Sequence, residues 1–119
     1  MSPENNKIEK FKELLLFIVK NFSDKTLTET KLWKLLYFCD ADFFDKYGKT
    51  ITGVDYFKND FGATPDMKII DKTLPLVDDF VRIEKKSRTD GKIMRIYKFI
   101  DPEKEIDYKV LTEIGRAHV

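Results

Sequence analysis

Residues 31–48 read KLWKLLYFCDADFFDKYG, a segment with more aromatic side chains than a helix on a solvated surface normally carries. Helical spacing gives two adjacent stripes, an apolar one of Leu32, Leu35, Leu36, Cys39 and Phe43 and an aromatic one of Trp33, Tyr37, Phe44 and Tyr47. A helix that is apolar on two sides is either buried inside a domain or covered by a partner. We therefore predict a central helix over Glu29–Tyr47, begun by Thr28 as N-cap or by Thr26 in a capping box with Glu29, and ended by Gly48 in the left-handed conformation.

The segment on the N-terminal side of this helix has the same helical period. Apolar residues recur from Ile8 to Phe22, and Ser2 followed by Pro3 is typical of a helix start. This pattern predicts a first long helix near Lys7–Phe22.

Shorter elements are predicted after the central helix. Residues 54–58 favour a short strand, and Gly62 to Pro65 favours a turn. Apolar residues from Met67 to Leu74 predict a short helix that is opened by Asp66.

Two strands, Phe80–Lys85 and Ile93–Ile100, are predicted to form a hairpin around Asp90-Gly91. A two-residue turn at Asp90-Gly91 sets Val81 opposite Ile100 and places on one face Val81, Ile83, Met94, Ile96 and Ile100. Tyr97 and Phe99 then face the other way. The predicted fold is α+β, a mainly helical core with a C-terminal two-stranded β-hairpin.

The composition bounds the class of protein. A chain of 119 residues with a formal charge of +1 and a single cysteine, Cys39, predicts one domain without a disulfide. The apolar run Leu14–Val19 is too short to span a bilayer, so we expect a cytoplasmic protein with no membrane association. We assign residues 1–114 to a single domain that is incomplete at its C-terminus, and residues 115–119 to a tail or a vector-derived scar.

No catalytic or metal-binding constellation is evident. The only histidine, His118, stands next to the end of the chain, and Asp40, Asp42 and Asp45 lack the spacing of a metal site. Asp40 lies within the aromatic stripe, where an unpaired carboxylate would be costly. We therefore expect Asp40 to accept from a tyrosine hydroxyl or a backbone N–H, and we predict no enzyme activity, cofactor or metal.

A set of short motifs resembles a known family. The motifs are Lys31–Phe38, Tyr47-Gly48, Ile51-Thr52-Gly53, Tyr56-Phe57 and Phe61-Gly62. Together they are similar to the Panacea domain of the antitoxin SocA-like family, also described as phage-associated proteins. The family's Tyr-Gly-Pro-x-Pro turn corresponds here to Phe61-Gly62-Ala63-Thr64-Pro65, which lacks the first proline.

The resemblance implies a bacterial, prophage-borne antitoxin of a toxin–antitoxin system. Such a protein binds a protein toxin directly or tethers it, and one type delivers its toxin to a protease. The residues implied in partner binding are Lys34, Tyr37, Asp40, Tyr47, Tyr56 and Phe61, and those implied in structural turns are Gly48, Gly62 and Pro65. The sequence pattern leaves open whether the aromatic stripe belongs to the core or to an interface.

DNA binding is the alternative function. A hairpin after helices is the arrangement of a winged helix, and the predicted hairpin is locally basic through Arg82, Lys85, Lys86, Arg88, Lys92, Arg95 and Lys98. Against this function, the whole chain has no basic surplus, and the central helix is too aromatic to lie in a DNA groove.

Overall fold

The computed structural model describes residues 2–22, 25–60 and 62–117. In these ranges the elements are, in chain order, α1 (Pro3–Asn21), α2 (Glu29–Tyr47), β1 (Tyr56–Asn59), β2 (Gly62–Pro65), α3 (Met67–Thr73), a 3₁₀ helix (Leu74–Leu76), β3 (Val81–Ser87), β4 (Ile93–Phe99) and α4 (Lys109–Ala117). The predicted α+β class is confirmed. The β3–β4 hairpin is not strictly C-terminal, because α4 follows it.

The two long helices have the predicted start and stop signals. The Ser2 hydroxyl accepts from the Asn5 N–H at 3.1 Å and begins α1. The Thr28 hydroxyl accepts from the Lys31 N–H at 3.3 Å and begins α2. Gly48, with φ +76°, ends α2 in the left-handed region, where a residue without Cβ is favoured.

The core lies where α1 and α2 pack together. Phe11, Leu15 and Val19 of α1 are fully covered, as are Leu32 and Leu36 of α2. Trp33 is also buried, and its ring meets the Tyr97 ring of β4 edge-on with centroids 5.9 Å apart. The two stripes predicted on α2 therefore both contribute to the core near the start of that helix.

The register predicted for the β3–β4 hairpin is wrong by one residue. Val81 pairs with Phe99, not with Ile100, and the last pair before the turn is Ser87 with Ile93. The Gly91 N–H donates to the Arg88 carbonyl and Gly91 has φ +82°, which together give a longer loop with a left-handed glycine.

This shift changes which side chains are buried. Tyr97 and Phe99, predicted to face away from the apolar side, are 1% and 6% exposed, whereas Ile100 is 48% exposed. A one-residue slip moves every side chain of a strand to the opposite face. Ile96 is buried as well, because β4 also pairs with the segment before α2 through a bridge between Thr28 and Ile96.

The segment predicted as a turn at Gly62 to Pro65 is strand β2. It pairs with β1 from Tyr56 opposite Pro65 to Asn59 opposite Gly62, so the chain reverses between Asn59 and Gly62. Gly62, paired with Asn59, closes this reversal, whereas Pro65 is a buried residue at the far end of the hairpin, away from the turn. Phe61 lies outside the described residues.

Helix α4 is attached to α1 through a buried carboxylate. The side chain of Glu13, 4% exposed, accepts from the N–H of Val110 at 2.9 Å and from that of Leu111 at 3.0 Å. These N–H groups belong to the first turn of a helix, which has no intrahelical acceptor for them and favours negative charge. Helix α4 continues through Gly115 to Ala117, part of the stretch assigned to a tail, while His118 and Val119 lie outside the described residues.

Candidate partner-binding site

Asp40 is the central acceptor of the hydrogen bonds in the candidate site. It is 2% exposed, and its Oδ1 accepts from the N–H groups of Ile51 and Thr52 at 2.9 and 3.0 Å. Its Oδ2 accepts from the Thr52 hydroxyl at 2.6 Å and the Tyr56 hydroxyl at 2.7 Å. The expectation that Asp40 is paired with a tyrosine hydroxyl and backbone groups is confirmed. We call these four residues the Asp40 anchor.

The anchor holds the loop after α2 in one conformation. Thr52 donates to Asp40 and in turn accepts from the Val54 N–H at 3.1 Å, so its hydroxyl links the helix to the chain that enters β1. Burial, and then the nearby Asp40 carboxylate, raise the pKa of Tyr56 well above the ordinary value of a phenol. Tyr56 therefore stays a neutral donor over the physiological pH range.

An open groove of about 630 Å³ lies between α2 and the β1–β2 hairpin. Its lining, which we call the aromatic groove, consists of Tyr37, Asp40, Ala41, Phe44, Asp45, Thr50, Tyr56, Lys58, Gly62 and Ala63. Tyr37 and Tyr56 come from its two sides and place their ring centroids 5.4 Å apart. The structure thus brings together three of the residues predicted for partner binding, Tyr37, Asp40 and Tyr56.

Lys34 joins this group through its aliphatic stem. A Cβ placed on Gly62 would lie 3.4 Å from Lys34 Cε, so the glycine lets β2 approach the lysine closely. Gly62 also has φ +117°, a conformation that side-chain-bearing residues rarely adopt. Lys34 itself is exposed at the side of the aromatic groove, where its charge is available to a partner.

The aromatic stripe of α2 leaves the core as the helix proceeds. Tyr37, Phe44 and Tyr47 of this stripe are 38%, 53% and 44% exposed, and Phe38, which lies outside the stripe, is 64% exposed. Residues this apolar are unusual as a group on a free surface, and contiguous apolar surface marks interaction sites. The sequence pattern left open whether the aromatic stripe belongs to the core or to an interface. At the start of the stripe, Trp33 is part of the core. The stripe residues from Tyr37 onward are exposed.

The remaining predicted residues lie at the border of the site or beneath it. Tyr47 does not line the aromatic groove and packs on Phe43 instead, with ring centroids 4.6 Å apart. Gly48 follows it as the helix cap. Asp40 is 2% exposed at the base of the groove, where it accepts hydrogen bonds from Thr52 and Tyr56.

Several residues of the site were missed by sequence reasoning. Phe44 was placed in the aromatic stripe but not among the binding residues, although it lines the groove. Thr52 stood in the Ile51-Thr52-Gly53 motif without a role, and it proves to be the hydroxyl partner of Asp40. The available signal in the sequence was Asp40, an acid within an apolar helix, followed by a motif that contains Thr52. The hydrogen bond between Asp40 and Thr52 becomes visible only in the folded loop.

The basic hairpin proposed for DNA is largely engaged in ion pairs. Arg82 and Lys98 lie 3.6 and 3.2 Å from Glu84, Arg88 lies 3.3 Å from Asp90, and Arg95 lies 3.9 Å from Glu29. Lys85 and Lys86 are exposed. The helix that precedes the hairpin, α3, has seven residues and buries Ile69 and Ile70, so it offers little to a major groove.

The residues that the structure describes form neither a metal site nor a membrane-spanning helix. Among them, no group of three His, Cys, Asp or Glu side chains is arranged to hold a metal ion. None of the helices that they form has the length and apolar character needed to cross a membrane. Cys39 is half-buried in α2, and burial raises the pKa of its thiol, which disfavours the reactive thiolate.

Comparison with known proteins gives one match. The model of the family described as antitoxin SocA-like, Panacea domain, matches residues 32–117, from the second residue of the KLWKLLYF segment to the end of α4. No curated protein and no solved structure matches the chain.

Proposed function

The chain belongs to the antitoxin SocA-like, Panacea domain family, and we propose that it is a non-enzymatic antitoxin that neutralises a protein toxin by binding it. Family membership supports a protein partner. The observation that carries the choice of surface is the aromatic groove, together with the exposed aromatic side chains of α2 beside it.

The chemistry of this surface suits protein binding. Tyrosine and phenylalanine supply large contact areas with few rotatable bonds. Aromatic residues are also enriched among the interface positions that contribute most of the binding free energy. Tyr37 and Phe44 stand on a helix whose adjacent apolar stripe is packed in the core, so little conformational freedom is lost when a partner covers them. An apolar side chain of the toxin, placed against the paired rings of Tyr37 and Tyr56 and beside Phe44, would fill the groove.

The Asp40 anchor gives this surface its shape before a partner arrives. Through Thr52 and Tyr56 the anchor fixes both the loop after α2 and the first residue of β1, which are the two segments that face α2 across the groove. A preformed groove binds more tightly than one that must be ordered on binding. The mechanism that we propose is therefore occlusion of a toxin surface by a rigid, preformed site.

The experiment is growth rescue with the toxin encoded beside this chain. Cells that express that toxin should grow when the wild-type chain is present, and Tyr37→Ala or Phe44→Ala should lose rescue while far-UV circular dichroism shows a folded protein. Leu76→Ala is the matched control, because Leu76 is equally exposed but lies in the 3₁₀ helix. Lys34→Glu tests the charged side of the groove. Full rescue by all three groove variants would remove this surface from the proposal.

Occlusion and tethering to a protease predict different results with purified proteins. Under occlusion, the antitoxin inhibits the toxin in a mixture that contains no protease, in proportion to the amount bound. Under tethering, the toxin remains active in that mixture, and its half-life in cells shortens when the antitoxin is present. The preformed groove leads us to expect inhibition without a protease.

A further inference from the structure

Strand β3 has one edge that no other strand covers within the part of the chain that the structure describes. The two-stranded sheet consists of β3 and β4, and the far edge of β4 is occupied by the segment before α2, where the Tyr97 N–H donates to the Leu27 carbonyl at 2.8 Å. The outer edge of β3 is thus the open edge of this sheet.

The hydrogen-bond alternation shows which backbone groups point outward from that edge. The Ile100 N–H donates to the Phe80 carbonyl, and the Arg88 N–H donates to the Lys92 carbonyl, so the even-numbered residues at both ends of β3 bond across the hairpin. Antiparallel pairs alternate between bonded and non-bonded. Ile83 and Lys85 therefore direct their N–H and C=O groups away from β4.

The side chains along this edge are exposed and mostly basic. Arg82, Ile83, Lys85, Lys86 and Arg88 are all exposed, and the single acid of β3, Glu84, is held by Lys98. The Lys98 contact lowers the pKa of Glu84, so this acid is charged at neutral pH. An incoming chain meets one partly exposed apolar side chain, Ile83, near the exposed ammonium groups of Lys85 and Lys86.

We propose that the outer edge of β3 binds an extended acidic segment of a partner protein as an added β-strand. The N–H and C=O groups of Ile83 and Lys85 pair with the backbone of that segment. Its carboxylates lie against Lys85 on one face of the sheet or against Lys86 on the other, because successive side chains of a strand point to opposite faces. Addition of a strand to an open sheet edge is a common mode of peptide recognition. This surface is separate from the aromatic groove, so the inference goes beyond the proposed function and does not depend on it.

Two other occupants fit the edge less well. A second copy of this chain, paired edge to edge, would set the basic side chains of one β3 against those of the other, and lysine at a sheet edge is a known protection against such pairing. Duplex DNA would satisfy the charges but not the outward N–H and C=O groups, which repeat at the spacing of a β-strand. Moreover, Arg82 and Arg88 already face carboxylates.

The test uses a fluorescent peptide of alternating Thr and Glu residues as the probe, titrated into the full chain and followed by anisotropy. Wild type should bind it, and amide hydrogen exchange should slow at Ile83 and Lys85 but not at Arg82 and Glu84. Ile83→Pro removes one outward N–H without touching the ladder to β4. We expect this variant to bind about tenfold more weakly, as for the loss of one or two hydrogen bonds.

Controls separate strand pairing from simple charge attraction. The double variant Lys85→Glu/Lys86→Glu should lose binding, whereas Lys68→Glu/Lys109→Glu, which changes the net charge equally at exposed positions elsewhere, should retain it. A Thr–Glu peptide N-methylated at alternate residues should bind far more weakly than the parent. Equal binding of the parent and N-methylated peptides, unchanged exchange at Ile83 and Lys85, or displacement of the peptide by a DNA duplex at low concentration would overturn the proposal.

Discussion

Tyr56 donates its hydroxyl hydrogen bond to Asp40 across a sequence separation of 16 residues, with an oxygen–oxygen distance of 2.7 Å. This contact joins the middle of α2 to the first residue of β1 and forms the floor of the aromatic groove. The Asp40 carboxylate accepts four hydrogen bonds in its buried position, which offset the cost of removing it from water. The same interaction therefore contributes to the fold and to the shape of the candidate site.

Replacement of Asp40 should destabilise the protein substantially. In Asp40→Ala, the N–H groups of Ile51 and Thr52 and the two hydroxyls lose their acceptor, so we expect a loss in the free energy of unfolding on the order of 3 kcal/mol. Asp40→Asn keeps one acceptor oxygen and should lose about 1–2 kcal/mol. Urea denaturation followed by circular dichroism measures both values.

Asp45→Ala is the control for this experiment, because Asp45 is an exposed acid on the same helix. Its unfolding free energy should stay within about 0.5 kcal/mol of wild type. If Asp40→Ala proves no more harmful than Asp45→Ala, then the four hydrogen bonds of the Asp40 anchor contribute nothing net to folding.

Stability should decline at alkaline pH because of two tyrosines, one buried and one partly buried, whose hydroxyls donate to carboxylates. Burial and Asp40 raise the pKa of Tyr56, and burial and Glu29 raise that of Tyr97. Above about pH 10 the unfolded chain releases these phenolic protons while the native state retains them. The native state then binds more protons, so each tyrosine lowers the free energy of unfolding by about 1.4 kcal/mol per pH unit.

Tyr97→Phe isolates this effect, since it keeps the ring beside Trp33 and removes the titrating group. The stability of Tyr97→Phe should fall less steeply than that of wild type above pH 10, by about 1.4 kcal/mol per pH unit. Guanidinium melts at several alkaline pH values provide the slopes. Parallel slopes for the two proteins would show that Tyr97 ionises as readily in the native state as in the unfolded chain.

Some of these features could be predicted from sequence, because they depend on local chemistry. The start and end of α2 follow from Thr28 and Gly48, which act on the residues next to them. The need of Asp40 for donors was predictable from its position in an aromatic stripe. The identity of the donors was not, because Thr52 and Tyr56 reach Asp40 only after the chain has turned back at Gly48.

The hairpin register failed for a different reason. Asp-Gly is favoured both in two-residue turns and in longer loops with a left-handed glycine, so Asp90-Gly91 indicates a hairpin without fixing its length. The alternation of apolar residues favoured the wrong register, because it grouped Ile96 with Val81, whereas Ile96 and Tyr97 are both buried. Both faces of β4 are covered by other parts of the protein. The strand therefore lacks the alternation of buried and exposed side chains that would have fixed its register.

Glu13 should be essential for the attachment of α4. Glu13→Ala leaves the N–H groups of Val110 and Leu111 without their acceptor, and we expect a loss of about 1–3 kcal/mol together with faster amide exchange in α4. Glu9→Ala is the matched control, because Glu9 pairs with Lys12 at the surface of α1. Protection in α4 that is the same in both variants would show that apolar contacts alone hold the helix.

Leu36 and Tyr37 are adjacent in sequence but should respond differently to truncation. Leu36 is fully buried, so Leu36→Ala should cost on the order of 2–5 kcal/mol through the cavity it leaves. Tyr37 is more than a third exposed, and Tyr37→Ala should cost about 1 kcal/mol or less. Denaturant melts of the two variants give the comparison. If Tyr37→Ala unfolds as readily as Leu36→Ala, the aromatic stripe at Tyr37 is part of the core.

The cap that Glu13 supplies to α4 also implies an order of assembly. A helix of nine residues is too short to persist alone in water, and this one buries none of its side chains completely. Its first turn becomes favourable only after α1 has presented the carboxylate, so α4 should form late in folding and open first under mild denaturant. On the native protein, proteases should accordingly cleave in the stretch that leads into α4 before they reach the α1–α2 pair.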